Sequence, residues 1–202
     1  MTEKPPRTDH RSGPRRRGQE LEDAILDAAF AELVETGYAG LTMERVAQRA
    51  GTGKASLYRR WPTRMELTLA AVRRAMPDPA MPRDTGAFRS DVLECLRANA
   101  DALAGPAGQA LRGLLGDAMV DQERMRALRA GSQGSGLTAM SEIARRAVAR
   151  GEIDGSTVTR LRLEVAHSML RQRFLFEGAP VPDAVLVGIV DEAVVPLFTG
   201  RT

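Results

Sequence analysis

The pair Gly53-Lys54, inside AGTGKASLYRRWPTR (residues 50–64), is of the type that ends a phosphate-cradling loop. Such a loop needs Gly-x-x-x-x-Gly-Lys-Ser/Thr after a buried strand, so that backbone N–H groups can surround the phosphates. Here the first glycine of the pattern falls on Gln48, and Ala55 follows the lysine. The residues upstream have the spacing of an amphipathic helix, not of a strand. Three requirements fail, and the loop reading falls with them. The other reactive types are sparse. His10 and His167 are the only histidines, and neither is paired with a second ligand at metal spacing, so no metal site is expected. No Ser-His-Asp, Cys-His or paired-carboxylate arrangement is visible, so no enzyme and no cofactor is expected. His167 lies mid-helix among apolar residues, either as a hydrogen-bonded core residue or as a polar group in a ligand cavity. Cys95 is the sole cysteine and reads as a small core residue; without disulfides the chain fits a reducing cytoplasm.

What the same stretch does offer is charge. From Lys54 to Arg64 there are four positive side chains and no negative one. Residues 1–75 hold 14 Lys+Arg against 10 Asp+Glu, while residues 76–202 hold 15 against 16. A basic N-terminal part on a near-neutral remainder suggests that one end meets a polyanion. No run approaches the roughly 18 apolar residues of a membrane span, so no membrane partner is expected.

These side chains need a scaffold, and the pattern supplies an all-α one of about nine helices. Leu21, Ile25, Ala28, Ala29 and Leu33 recur at helical spacing, and Gly37 closes that helix. Thr42 is placed to cap a short helix with Met43, Val46, Ala47 and Ala50 on its apolar face, ended by Gly51. A third helix runs from about Lys54 to Arg60, with Leu57 and Trp61 facing inward. The residues Thr63 to Glu66 have the Thr-x-x-Glu form of a capping box, which starts a fourth helix. MPDPAMP (76–82) is the best boundary. Every later segment reads as helix, with the glycines of GSQGSG (131–136) expected to kink or break one of them. A short helix, a tight glycine turn and a second helix with a polar outer face make a helix-turn-helix. Its outward residues are Lys54, Ala55, Ser56, Tyr58, Arg59 and Arg60, the types that reach base edges and phosphates in a major groove.

Residues 21–67 resemble the DNA-binding domain of the TetR family of bacterial transcriptional regulators. The matching residues are ILDAAFAELVETGY, LTMERVAQRAG, Leu57-Tyr58, Trp61 where the family usually has phenylalanine, and TRMEL (63–67). The later segments DTGAFRSDVLECLRANADALAGPAGQALRGLLGDA and RRAVARGEID resemble, more loosely, the C-terminal region of one branch. Residues 1–18, rich in Pro, Gly and Arg, read as a flexible basic arm; the resemblance implies a DNA-binding domain over 19–76 and a ligand-binding and dimerisation domain over 77–202. It implies that Thr42 caps the second helix and touches a phosphate, that Tyr58 contacts the DNA backbone, and that Arg64 holds a phosphate at the start of the fourth helix. Gly53 stands where the family usually has a serine N-cap, so the third helix is less well capped unless Thr52, itself a candidate DNA-binding residue, substitutes. The arginines of the arm serve either solubility or a minor groove.

The last helix, DAVLVGIVDEAVVPLF, is apolar almost all round and needs burial on two sides, which points to a partner chain; the resemblance implies that the partner is a second copy. Candidate interface residues are Phe176, Leu186, Ile189, Val190, Ala193, Val194 and Leu197. A small-molecule cavity in the C-terminal part is expected from apolar residues with few polar ones: Leu96, Asn99, Leu115, Met119, Met140, His167, Leu170 and Phe174. The expectation is a dimeric transcriptional regulator, most simply a repressor, that leaves a palindromic double-stranded DNA operator when a small molecule binds. A non-specific DNA-compacting protein remains the alternative.

Overall fold

The computed structural model describes residues 18–119, 121–132 and 135–200. The arm expected over 1–18, with His10, lies outside them apart from Gly18, as does the middle of GSQGSG at 133–134. The described residues are all-helical. The order is α1 (Gln19–Gly40), α2 (Met43–Arg49), α3 (Lys54–Tyr58), α4 (Arg64–Ala75), α5 (Phe88–Ala104), α6 (Pro106–Ala118), α7 (Gln122–Ser132), α8 (Ser135–Ala149), α9 (Arg160–Phe176), α10 (Asp183–Gly188) and α11 (Val195–Thr199). A π turn over Ile189–Val194 joins the last two into one body, and a 3-10 turn over Gly155–Thr157 precedes α9. Ten helical bodies stand where about nine were expected, because α7 and α8 are separate elements.

Local chemistry sets the ends. The Thr42 hydroxyl accepts from the Arg45 N–H at 3.2 Å and starts α2. At α4 the capping box is complete: Thr63 Oγ1 accepts from the Glu66 N–H at 3.1 Å, and Glu66 Oε2 accepts from the Thr63 N–H at 3.3 Å. Gly37 and Gly51 carry positive φ, 67° and 65°, where a side chain would be strained, and both mark turns. Gly37 breaks the helical path inside α1.

Two main cores result. The first gathers Ile25, Ala29 and Leu33 of α1, Val46 of α2, Leu57 of α3 and Leu67 of α4, all almost fully buried. Ala107, Ala110 and Leu114 of α6 complete it. The expected boundary near residue 76 falls in the segment between α4 and α5, yet the apolar core does not divide there. Gly113 makes this contact possible: a Cβ on it would lie 2.7 Å from that of Tyr38. The second core joins α5, α8, α9 and the α10–α11 body through Val92, Leu96, Met140, Ile143, Phe174 and Val190. A small third cluster of Leu69, Ala118 and Leu128 lies between α4, α6 and α7.

Candidate nucleic-acid interface and cavity

α3 has one anchored side and one open side. Leu57 is fully buried and Trp61, just beyond the helix, is nearly so. Each such side chain contributes about 1.5–3 kcal/mol by leaving water, enough to fix so short a helix that would not form alone. Lys54, Ala55, Tyr58 and Arg59 are exposed, and Ser56 and Arg60 are half-buried. Tyr58 leaves half its surface in solvent. The outward set expected from the sequence is therefore brought together on one face. Two members have partners within the chain. Lys54 Nζ lies 2.8 Å from Glu44 Oε1, and Arg60 Nη1 donates to the Ser56 carbonyl at 3.2 Å. Arg59 has no side-chain hydrogen bond or ion pair among the described residues. Gly53 caps α3 with no side-chain hydrogen bond, so Thr52, half-buried beside it, does not substitute for the missing serine.

The helix-turn-helix is oriented by a buried carboxylate. Glu32 of α1 is nearly fully buried and accepts from Arg45 Nε at 2.7 Å and Arg49 Nε at 2.8 Å. Arg49 reaches on to Glu35, and that hydrogen bond holds the Glu35 carboxyl below its ordinary range. Both arginines of α2 are thus spent on holding α2 against α1.

Arg64 has partners within the chain. Its guanidinium stacks 4.2 Å over the Tyr38 ring and reaches the Tyr38 carbonyl at 3.5 Å and Asp117 Oδ2 of α6 at 3.8 Å. Burial pushes the Tyr38 hydroxyl up, so it stays protonated and donates to Asp117 at 3.1 Å. A cation beside an aromatic face and a carboxylate is attracted to both. Arg64 is turned inward to the junction with α6, not outward with Arg59.

A cavity of about 490 Å³ opens between α4, α5, α6, α8 and α9. Of the expected lining, Asn99, His167, Leu170 and Phe174 are present. Leu96 and Met140 are not: both are fully buried in the second core, on the packed sides of α5 and α8. Leu115 packs against the third cluster, and Met119 is 77% exposed at the end of α6. The sequence reading missed Leu69, Val72 and Arg73 of α4 and Arg160, Glu164 and Arg171 of α9. A signal for the last group exists. Arg160, Glu164, His167 and Arg171 recur at helical spacing along one line of α9. Burial, then the charge of Arg171, pushes the His167 imidazole down to about 4, so it is neutral at pH 7. Among the described residues no group of three or more His, Cys, Asp or Glu could hold a metal.

The proposed second-copy surface is redistributed. Leu186, Ile189, Val190 and Val194 are buried within their own chain, because that side of the α10–α11 body packs on α5 and α9. Phe176, Leu197 and, half-buried, Ala193 remain available. Phe176 is 82% exposed and Leu161, on the same helix, 76%.

Comparison with known proteins agrees with this architecture. Residues 25–71 match the family described as bacterial regulatory proteins, tetR family, and residues 82–193 match the tetracyclin repressor-like C-terminal domain. The chain is 32% identical over 189 residues to the DNA-binding transcriptional repressor TetR of Mycobacteroides abscessus, covering 90% of this chain and 96% of that one. It is 35% identical over 171 residues to the HTH-type transcriptional regulator AqdR of Rhodococcus erythropolis, covering 84% and 81%. A crystal structure of a TetR family transcription regulator superposes with a TM-score of 0.75 at 29% identity, covering 87% of this chain and 97% of that one. With a helix-turn-helix whose second helix leaves its polar face open, and with both parts matched, the chain belongs to the TetR family and is a DNA-binding transcriptional regulator.

Proposed function

We propose that the chain is a homodimeric, cytoplasmic repressor that reads a palindromic operator with α3 and releases it when a small molecule fills the cavity. The observation that carries the reading is the two-sided build of α3: Leu57 is fully buried while Lys54, Ala55, Tyr58 and Arg59 stand open. On this reading Arg59 and Lys54 address base edges, Tyr58 and Thr42 the backbone. A two-fold pair of chains would present two such helices to successive major grooves. The exposed apolar residues of α9 and of the α10–α11 body, Leu161, Phe176 and Leu197, support pairing through that side. The repressor sense is supported by the name of the Mycobacteroides relative. The cavity supports a ligand-responsive state, since a ligand shifts a two-state balance by its differential affinity.

The test is selection of bound fragments from random DNA by the full chain, sequenced at two salt concentrations. A palindromic motif that sharpens at the higher salt is expected. Enrichment without a motif would leave only phosphate attraction and would replace this reading with a DNA-compacting role.

A further inference from the structure

Most arginines whose side chains are described are paired with a carboxylate. Arg89 meets Asp191, Arg97 meets Asp183 and Glu94, and Arg150 meets Asp91, Asp84 and Glu152. Among the residues whose side chains are described, only Arg59, Arg73, Arg126 and Arg171 make no side-chain hydrogen bond or ion pair. Arg59 is on the reading helix. Two of the other three, Arg73 on α4 and Arg171 on α9, stand at the same cavity. Both are exposed, so they form its rim. Arg160 is there as well, but it donates to Glu164 at 3.0 Å and the two cancel. His167 is neutral and adds no charge. The rim therefore carries two uncompensated positive charges above a wall of Leu103, Leu170 and Phe174.

A second, independent sign lies deeper. His167 Nδ1 is buried without a hydrogen-bond partner among the described residues, while Nε2 faces Cys95 Sγ at 3.9 Å. Buried polar atoms are ordinarily satisfied, and one left open beside a cavity points to a bound group that completes it. Gly136 of α8 approaches the imidazole so closely that a Cβ there would lie 2.6 Å from His167 Cγ. α8 is thus held close against the imidazole, which also belongs to the cavity lining.

We propose that this cavity takes an amphiphilic organic anion, its acidic head group at the rim with Arg73 and Arg171 and its apolar body against Leu103, Leu170 and Phe174. This deepens the ligand-responsive reading given above and rests on it for the link to DNA. The division of labour follows from the dielectric. The apolar body supplies affinity by leaving water. Guanidinium groups supply the sign preference, because they bind carboxylate, sulfate or phosphate oxygens through paired N–H donors. The rim is solvated, so the preference is modest.

Three probes of equal chain length separate head from body: decanoate, decanol and decylamine, titrated calorimetrically into the full chain below their aggregation limits. Decanoate is expected to bind ~10-fold tighter than decanol, with decylamine weaker still. The double variant Arg73→Gln/Arg171→Gln is expected to bring decanoate down to the affinity of decanol and to leave decanol binding and thermal unfolding unchanged, since neither side chain has a hydrogen-bond or ion-pair partner among the described residues. Equal affinity for all three, a reversed order, a preference that survives in the double variant, or no binding of any probe overturns the proposal. Release of the selected DNA is followed in parallel. Release by decanol as readily as by decanoate, at equal affinity, overturns the anion site and leaves the ligand-responsive reading standing. A decanoate preference without release supports the anion site and removes that reading.

Discussion

The reading face and the cavity use the same side chain in opposite settings. The face is convex and built from one short helix, with every polar residue drawn from a stretch between Lys54 and Arg60. The cavity is concave and takes residues from five helices spread between Leu69 and Phe174. Each carries arginine left without a carboxylate: Arg59 on the face, Arg73 and Arg171 at the rim. Most of the other described arginines are structural. Arg45 and Arg49 are consumed by Glu32, and Arg97 ties α5 to α10 through Asp183 at 2.7 Å. In a chain so rich in arginine, abundance says little about binding, and the paired or unpaired state of each guanidinium says more. An exposed ion pair contributes little stability, but it removes a charge from the surface that a ligand could meet.

If the two regions are as separate in role as in shape, they can be broken one at a time. The largest effect is expected from Leu57→Ala. Removing a fully buried leucine costs about 4 kcal/mol, and it should abolish DNA retention while probe binding at the cavity survives at temperatures where the chain stays folded. Paired calorimetric and mobility-shift titrations read both. The next effect belongs to the cavity. His167 titrates at 6.5 when unfolded and at about 4 when folded. Its folded value is depressed, so the unfolded chain takes up the proton first. Stability is intact above pH 6.5 and falls as pH drops toward 4, by about 3 kcal/mol at one unit per 1.4 kcal/mol. In urea titrations across that window His167→Asn should flatten the acid limb while DNA affinity at pH 7 holds. Arg59→Ala should cost about 1–3 kcal/mol in specific binding and relax base preference at one operator position, with ligand affinity unchanged. A uniform loss across all sequences would assign Arg59 to phosphate instead. The smallest change sharpens the face alone. Gly53 has φ −84° and open space around a Cβ, so Gly53→Ser should add a cap to α3 and gain a few tenths of a kcal/mol in unfolding free energy, read by urea denaturation.

The reading face was legible in the sequence because its geometry is local. Thr42, Gly51, Leu57 and the Thr63–Glu66 box are set by spacing within one or two turns, and each takes the place that spacing dictates. The cavity was legible only in part. Asn99, His167, Leu170 and Phe174 could be picked as polar or bulky positions on the right helices, but which side of each helix meets a void depends on how five helices pack. Leu96 and Met140 have the same chemistry as true lining residues and differ only in rotation about their axes. Arg64 shows the same limit for charge. Its place at the start of α4 was clear, while its turn toward Tyr38 and Asp117 needs α6, which enters the chain some forty residues later. The apolar last helix called for burial on two sides, but which residues each side takes was not legible: Leu186, Ile189, Val190 and Val194 are spent on α5 and α9.

Ala107, Ala110 and Leu114 of α6 sit in the same apolar cluster as Ile25, Leu33 and Leu57. The head is therefore not a detachable cassette. Cutting the chain near residue 76 would uncover the α6-facing sides of α1 and α4, and a fragment of residues 19–76 would carry an open seam. A chimera that grafts this head onto another sensor must bring α6 with it, or rebuild on the new partner an alanine-lined strip and the glycine that lets Tyr38 come close.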